Sequence, residues 1–317
     1  MSSIPSAREI LEAGKRIQPW VHHTPVWQAE TFNKRFGAEL YFKCENFQKV
    51  GAFKSRGAVN AVFSLTDERA AKGVATHSSG NHAQALARAA ALRNIPAYIV
   101  MPENAPKVKV AAVKGYGGKI TFCKPTLEAR ETTLHGVIQK TGAVEIHPYD
   151  QWEVITGQAT AAYELLQEIP DLDMILCPVG GGGLLSGTAL SAAYFAKNTQ
   201  VIACEPAGAD DAFRSFYGDH RVPSIHPQTI ADGLLTSLGD LTYPIIKQYV
   251  QAVVTVNESS IVDAMRLIVE RMKMVVEPSS AVPFAAILEG KVDIRSKRVG
   301  VIVSGGNVDL EHLPWQS

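Results

Sequence analysis

From about residue 73 the chain changes its period every few residues. GVATHS reads as a strand, AQALARAAALRN as an Ala-rich helix, IPAYIVMP as a strand, KVKVAAVKGYG as a helix and KITFC as a strand. Farther on, DMILCPV and QVIACEP are continuous apolar runs with a helical segment, LLSGTALSAAYFA, between them, and RVGVIVSGGN reads as a last strand. Runs that are apolar throughout suit strands covered on both faces, and strands separated by helices are ordinarily joined in parallel. This pattern constrains the chain to α/β architecture with open parallel sheets flanked by helices. At the N-terminus, Ser6 and Glu9 form a capping box ahead of the stripe Ile10, Leu11, Ala13 and Ile17, which predicts a helix. A length of 317 residues suits two lobes sharing a cleft.

Lys+Arg and Asp+Glu are both 31, so there is no global charge to recruit nucleic acid or an anionic membrane. The early charges Glu9, Glu12, Lys15 and Arg16 exclude a signal peptide. Met174 to Ala196 carries no charge, but Pro178 and four successive glycines would break a membrane span there, so strand, turn and helix are expected in a soluble protein. Cys44, Cys123, Cys177 and Cys204 form no CxxC and read as reduced buried thiols of a cytoplasmic protein.

Three polar or glycine-rich turns follow expected strands: HSSGNH (77–82), VGGGGLLSG (179–187) and VSGGN (303–307). Ligands of open parallel sheets bind at the carboxyl ends of the strands, so these loops are placed to share one cleft. Gly180, Gly181, Gly182 and Gly183 lie between a strand and a helix, where backbone N–H groups can wrap an anion. A dinucleotide fingerprint fails because Leu185 stands where its third glycine belongs, and there is no GK[ST] of a P-loop. A phosphate without a nucleotide fits, and a merely tight turn is the alternative. Ser78, Ser79, Asn81 and His82 around Gly80 suit a carboxylate, or else ordinary helix capping. Ser304 either closes a plain turn or offers a neutral hydroxyl to something planar. Glu205 and Asp211 in EPAGADD are oxygen donors for a hard cation, or else a solvated acidic loop.

Against this background stands GAFKSRGA (51–58), in which Lys54 follows Phe53 with glycines three residues to either side. A lysine facing a phosphate cradle, a carboxylate loop and a neutral hydroxyl suggests a Schiff base with pyridoxal phosphate.

GAFKSRGA, THSSGNHAQALA, VGGGGLLSG, EPAGADD, TIADGLLTSLG, EPSSAV and VSGGNVDL, in this order from residue 51 to 310, resemble the serine racemase and serine/threonine dehydratase group of pyridoxal-phosphate enzymes. That group has fold type II, like the tryptophan synthase β chain. The resemblance implies that Lys54 carries the Schiff base with Phe53 against the ring, and that Gly180 to Gly183 bind the phosphate. It implies that Asn81 bonds the ring hydroxyl and that Ser304 meets the pyridine nitrogen. Ser78, Ser79, Asn81 and His82 would receive the substrate carboxylate. Glu205, the backbone of Ala209, and Asp211 would hold Mg²⁺ or Mn²⁺. It further implies a small domain, 73–150, inserted in a large cofactor domain, 1–72 and 151–317, and a homodimer.

The implied chemistry is removal of a Cα proton by Lys54, with loss of a β-hydroxyl giving a 2-oxo acid and ammonia. With Ser79 on the opposite face, the same site supports racemisation of serine or aspartate. Two positions depart from the serine racemase pattern: Tyr149 in HPYD, where dehydratases of the group carry an aromatic, and Ala83 in GNHAQ. Arg130 in TLEARE resembles an arginine that reaches the distal end of the substrate. With Thr236 it makes 3-hydroxyaspartate a candidate beside serine and threonine, unless Arg130 is a plain surface residue. A non-catalytic binder of amino acids or nucleotide is the rival from another class, and Lys54 argues against it.

Overall fold

The computed structural model describes residues 4–316. The apolar runs form ten strands: β1 (Val26–Trp27), β2 (Glu39–Cys44), β3 (Val74–His77), β4 (Ala97–Pro102), β5 (Lys119–Cys123), β6 (Val144–Glu145), β7 (Met174–Pro178), β8 (Gln200–Pro206), β9 (Ala252–Val256) and β10 (Arg298–Val303). They make two sheets, ordered β1-β2-β10-β7-β8-β9 and β5-β4-β3-β6. All pairings are parallel except β1 with β2. The expected α/β class with two open parallel sheets is what the chain adopts.

Successive residues of a strand point to opposite faces, and the cores follow that alternation. On the larger sheet, Met174, Leu176, Val299, Val301 and Val303 pack with the helices Glu258–Met272 and Pro278–Leu288. Ile175, Cys177 and Ile302 face the other way, toward the helix Gly183–Phe195. With apolar cover on both faces, every residue of β7 is buried. The smaller sheet lays Val74, Ile99 and Met101 against the Ala-rich helix Asn81–Leu92 and against Ala58, Val59, Ala61 and Val62 of the helix Lys54–Phe63. Alanines let these two helices approach closely, so the lysine-bearing helix is buried between the sheets.

The N-terminal capping box is present, Ser6 N–H donating to Glu9 Oε2 at 2.7 Å and Glu9 N–H to Ser6 Oγ at 3.4 Å. No helix among the described residues is long and apolar enough to cross a membrane. All four cysteines are buried with free thiols. β3, β7 and β10 end at His77, Pro178 and Val303, where the three stretches singled out in the sequence begin.

Candidate active site

Lys54 opens the helix Lys54–Phe63, two residues after a short helical turn, Lys49–Gly51. Val50 in that turn is left-handed (φ 56°), an uncommon conformation for a β-branched residue. The segment is tied to the end of β10. Phe53 N–H donates to Ser304 O at 3.0 Å, and Gly306 N–H to Gly51 O at 2.9 Å. The Lys54 amine lies over the Phe53 ring, 5.1 Å from its centroid, and donates to Pro148 O at 2.7 Å. Burial disfavours the ammonium form and brings its pKa down to about 8, against the opposing pull of Glu277. Lys54 is therefore no solvated loop cation.

Pro148 belongs to the HPYD turn, which is shaped by His147. Its Nδ1 accepts from Tyr149 N–H at 3.3 Å and Asp150 N–H at 2.8 Å, so that nitrogen is unprotonated. Burial, outweighing the attraction of Asp150, lowers the His147 pKa to about 4. Tyr149 lies on the glycine loop: a Cβ on Gly181 would come within 2.4 Å of its ring. Gly182 has φ 88°, which glycine alone adopts freely, and it starts the helix Gly183–Phe195 without a side-chain cap. The first N–H groups of that helix are left for a ligand. Asp150 accepts from the N–H groups of Asp240, Leu241 and Thr242, and Thr242 Oγ1 donates to Gly181 O at 2.8 Å. Thr236 bonds the Tyr149 hydroxyl, which burial nevertheless pushes up to about 12. One turn thus holds the lysine, covers the cradle and fixes the loop that carries Thr236.

In HSSGNH the helix Asn81–Leu92 starts at Gly80, again with no side-chain cap, so capping does not consume the serines. Ser78 Oγ accepts from Gly80 N–H at 3.3 Å. His82 is 2 % exposed, and its Nε2 donates to Ile146 O at 3.1 Å. Burial, with the Lys54 charge next, lowers its pKa to about 3. The imidazole is neutral and turned inward, so what His82 can offer an anion is its backbone N–H. Asn81 reaches across to Glu277, with Nδ2 3.1 and 3.0 Å from the two carboxylate oxygens. The Ser304 hydroxyl is buried 3.0 Å from that of Ser280.

Glu205 and Asp211 are buried, with Ala209 between them in the one-turn helix Ala207–Ala209. Glu205 accepts from Ala212 and Phe213 N–H at 2.9 and 2.8 Å, and Asp211 beside it has only loosely placed donors, Ser224 and the Leu238 backbone among them. Burial raises Glu205 to about 9 and Asp211 to about 6. The acidic loop is therefore not a solvated one. Arg130, on the helix Leu127–Thr141, is only partly exposed, has a buried Nε without a partner, and acts on His77 at the end of β3. It is not a plain surface arginine.

Behind the lysine lies a charge cluster that sequence reasoning missed. Arg56 is fully buried and donates to Glu45 at 2.7 and 2.8 Å and to Glu164 at 2.7 Å, while Lys43 donates to Glu164 at 2.7 Å. Also missed were Pro148, Asp150, Glu277 and Asn307. All four stand inside or beside quoted motifs, but their partners are remote in sequence.

The family model for pyridoxal-phosphate-dependent enzymes matches residues 17–305. The chain is 51 % identical to a β-hydroxyaspartate dehydratase of Paracoccus denitrificans over 312 residues, 98 % of this chain and 99 % of that one. It is 46 % identical to an L-threo-3-hydroxyaspartate ammonia-lyase of Saccharomyces cerevisiae, covering 97 % of this chain and 96 % of that one. The crystal structure of the Dictyostelium discoideum serine racemase superposes with a TM-score of 0.92 at 51 % identity, covering 97 % of this chain and 100 % of that one. A partly buried lysine of lowered pKa, a glycine cradle opening a helix and these likenesses agree: the chain belongs to the pyridoxal-phosphate-dependent enzymes of fold type II, in the serine racemase and dehydratase group.

Proposed function

We propose that the chain is an ammonia-lyase that converts a small β-hydroxy amino acid, 3-hydroxyaspartate ahead of serine and threonine, into a 2-oxo acid and ammonia. The observation that carries the reading is the partly buried Lys54 amine, held on Pro148 O with its pKa brought down to about 8. A solvated lysine stays an ammonium ion, which can neither condense with an aldehyde nor accept a proton; a depressed one can do both. The residues fit pyridoxal phosphate: unpaired N–H groups at the Gly183 helix start for the phosphate, Asn81 and Ser304 for the ring, Phe53 beside the lysine. When bound, the cofactor supplies a sink for the electron pair that deprotonation leaves at Cα.

Lys54 as neutral amine takes the Cα proton, and Pro148 O keeps that amine aimed. Ser78, Ser79 and the N–H groups of Asn81 and His82 receive the α-carboxylate. The β-hydroxyl takes up a proton, the one Lys54 has removed from Cα, and leaves as water; one water is consumed again on hydrolysis, so one substrate gives one 2-oxo acid and one ammonia. Arg130, with its unpartnered Nε, receives the second carboxylate of 3-hydroxyaspartate. The names of the two hydroxyaspartate relatives support this choice. Racemisation is the alternative, with Ser79 acting on the face opposite Lys54. Ser79 is not taken up as the helix cap, which Gly80 occupies.

Glu205, Asp211 and the carbonyl of Ala209 fit a divalent cation, Mg²⁺ or Mn²⁺, because burial holds both carboxyls well above their ordinary pKa, Arg214 only partly offsetting it for Asp211, and such an ion would supply the missing charge. We read residues 73–150 as the small domain and 1–72 with 151–317 as the large one, closing over the cleft to exclude water. A homodimer in the cytoplasm completes the proposal, with four free thiols supporting a reducing compartment. Arg130→Ala tests the substrate: loss of a charge-assisted pair, about 1.5–3 kcal/mol, lowers kcat/KM for 3-hydroxyaspartate by roughly 10–150-fold and spares serine. Equal losses on both substrates would refute the assignment.

A further inference from the structure

Two side chains with no part in the proposed chemistry enclose Asn81. Glu277, 4 % exposed, immediately precedes the helix Pro278–Leu288 without capping it through its side chain, and Asn307 follows the turn after β10. Asn307 Nδ2 donates to Val50 O at 2.7 Å and to Asn81 Oδ1 at 2.9 Å, and Asn307 N–H donates to Glu277 Oε2 at 3.3 Å. Asn81 Nδ2 lies 3.1 and 3.0 Å from the Glu277 oxygens.

A backbone carbonyl and an ionised carboxylate only accept. The carbonyl of Val50 therefore fixes which end of the Asn307 amide is nitrogen. That nitrogen's other hydrogen then meets an oxygen, Oδ1 of Asn81. From the far side, Glu277 demands nitrogen at the remaining end of the Asn81 amide, so both constraints agree. The two oxygens of one carboxylate lie too close together to engage both hydrogens of an NH₂ group, which sp² geometry sets wide apart. One Asn81 N–H is left for the cleft.

We infer that Glu277 and Asn307 are positioning residues that lock the Asn81 amide with an N–H, and not its C=O, toward the ring oxygen of the cofactor. The inference rests on the reading of Asn81 as the partner of that oxygen. Unconstrained, the amide could turn either way, and one orientation sets two oxygens against each other. The lock also gives the left-handed Val50 a use, since its carbonyl is the fixed point from which the chain of donors runs. A buried carboxylate is costly unless it is fully hydrogen-bonded, and here its donors are the groups it orients.

The test is made on the cofactor-loaded protein at pH 8, above the value of about 7 to which burial lifts the Glu277 carboxyl. Glu277→Gln keeps the shape but removes one acceptor. Asn307→Asp keeps the shape but presents an acceptor to Asn81 Oδ1, so it probes the lock from the other end should either variant fail to fold. Both should change the ratio of the two ring-tautomer absorption bands and speed cofactor loss on dialysis by about 10-fold, with far-UV circular dichroism unchanged. Asn81→Ala serves as reference. If it moves the bands while Glu277→Gln and Asn307→Asp leave them as in the parent, the positioning role is overturned. If Asn81→Ala itself leaves them unmoved, the reading of Asn81 is wrong and the inference falls with it.

Discussion

Raising the pH of the cofactor-free protein through 8 should release the Lys54 amine long before its surface counterparts. The cause is burial, which strips the ammonium of hydration and is only partly offset by Glu277. The drop from the ordinary 10.5 to about 8 is a difference of about 2.5, worth about 3.4 kcal/mol, or about 300-fold more neutral amine. At pH 7 about one lysine in ten would be free base here, against about one in three thousand at the ordinary value. A trinitrobenzenesulfonate pulse at each pH, read by mass spectrometry of the Lys54 peptide, reports the titration, with the exposed Lys34 as internal reference. Labelling should show a midpoint near 8. The sign for stability follows. The native state loses this proton near 8 while the unfolded chain keeps it to 10.5, so stability rises with pH across that window. Lys54→Met should abolish the rise. Labelling of Lys54 in step with Lys34 at every pH would refute the argument from burial.

Other outcomes follow from the same structure. Glu164→Ala leaves the buried Arg56 and Lys43 without one of their carboxylates and should cost about 3–5 kcal/mol in urea unfolding; under 1 kcal/mol would mean the cluster is not held as described. Chelator should lower the Tm and Mg²⁺ restore it in the parent, while Asp211→Asn should respond to neither; a parent indifferent to chelator would remove the cation from the account.

The parts of this molecule that depend on near neighbours were legible in its sequence. KITFC is β5 residue for residue, and the uncharged stretch from Met174 resolves into β7, a glycine turn and a helix. The Ala-rich helix begins at Asn81, two residues before the expected AQALARAAALRN, because Gly80 supplies its cap and lets the polar pair Asn81-His82 join the first turn. β1 and β6 have only two residues each and carry no periodicity to read. Buried charges were the hardest. Lys43, Glu45 and Arg56 look like surface residues by type, and what permits their burial is a set of partners up to 121 positions away. The same holds for Asn81, whose partners Glu277 and Asn307 come from the other end of the chain.

The central claim, that Lys54 drives elimination from a β-hydroxy amino acid, is tested most directly by measuring 2-oxo acid release from the cofactor-loaded enzyme. The panel is L- and D-serine, L-threonine and the threo and erythro 3-hydroxyaspartates, with Lys54→Ala beside the parent. Release that is strongest with a 3-hydroxyaspartate and absent in Lys54→Ala is the predicted result. No release from any member, or release that survives the loss of Lys54, would contradict it.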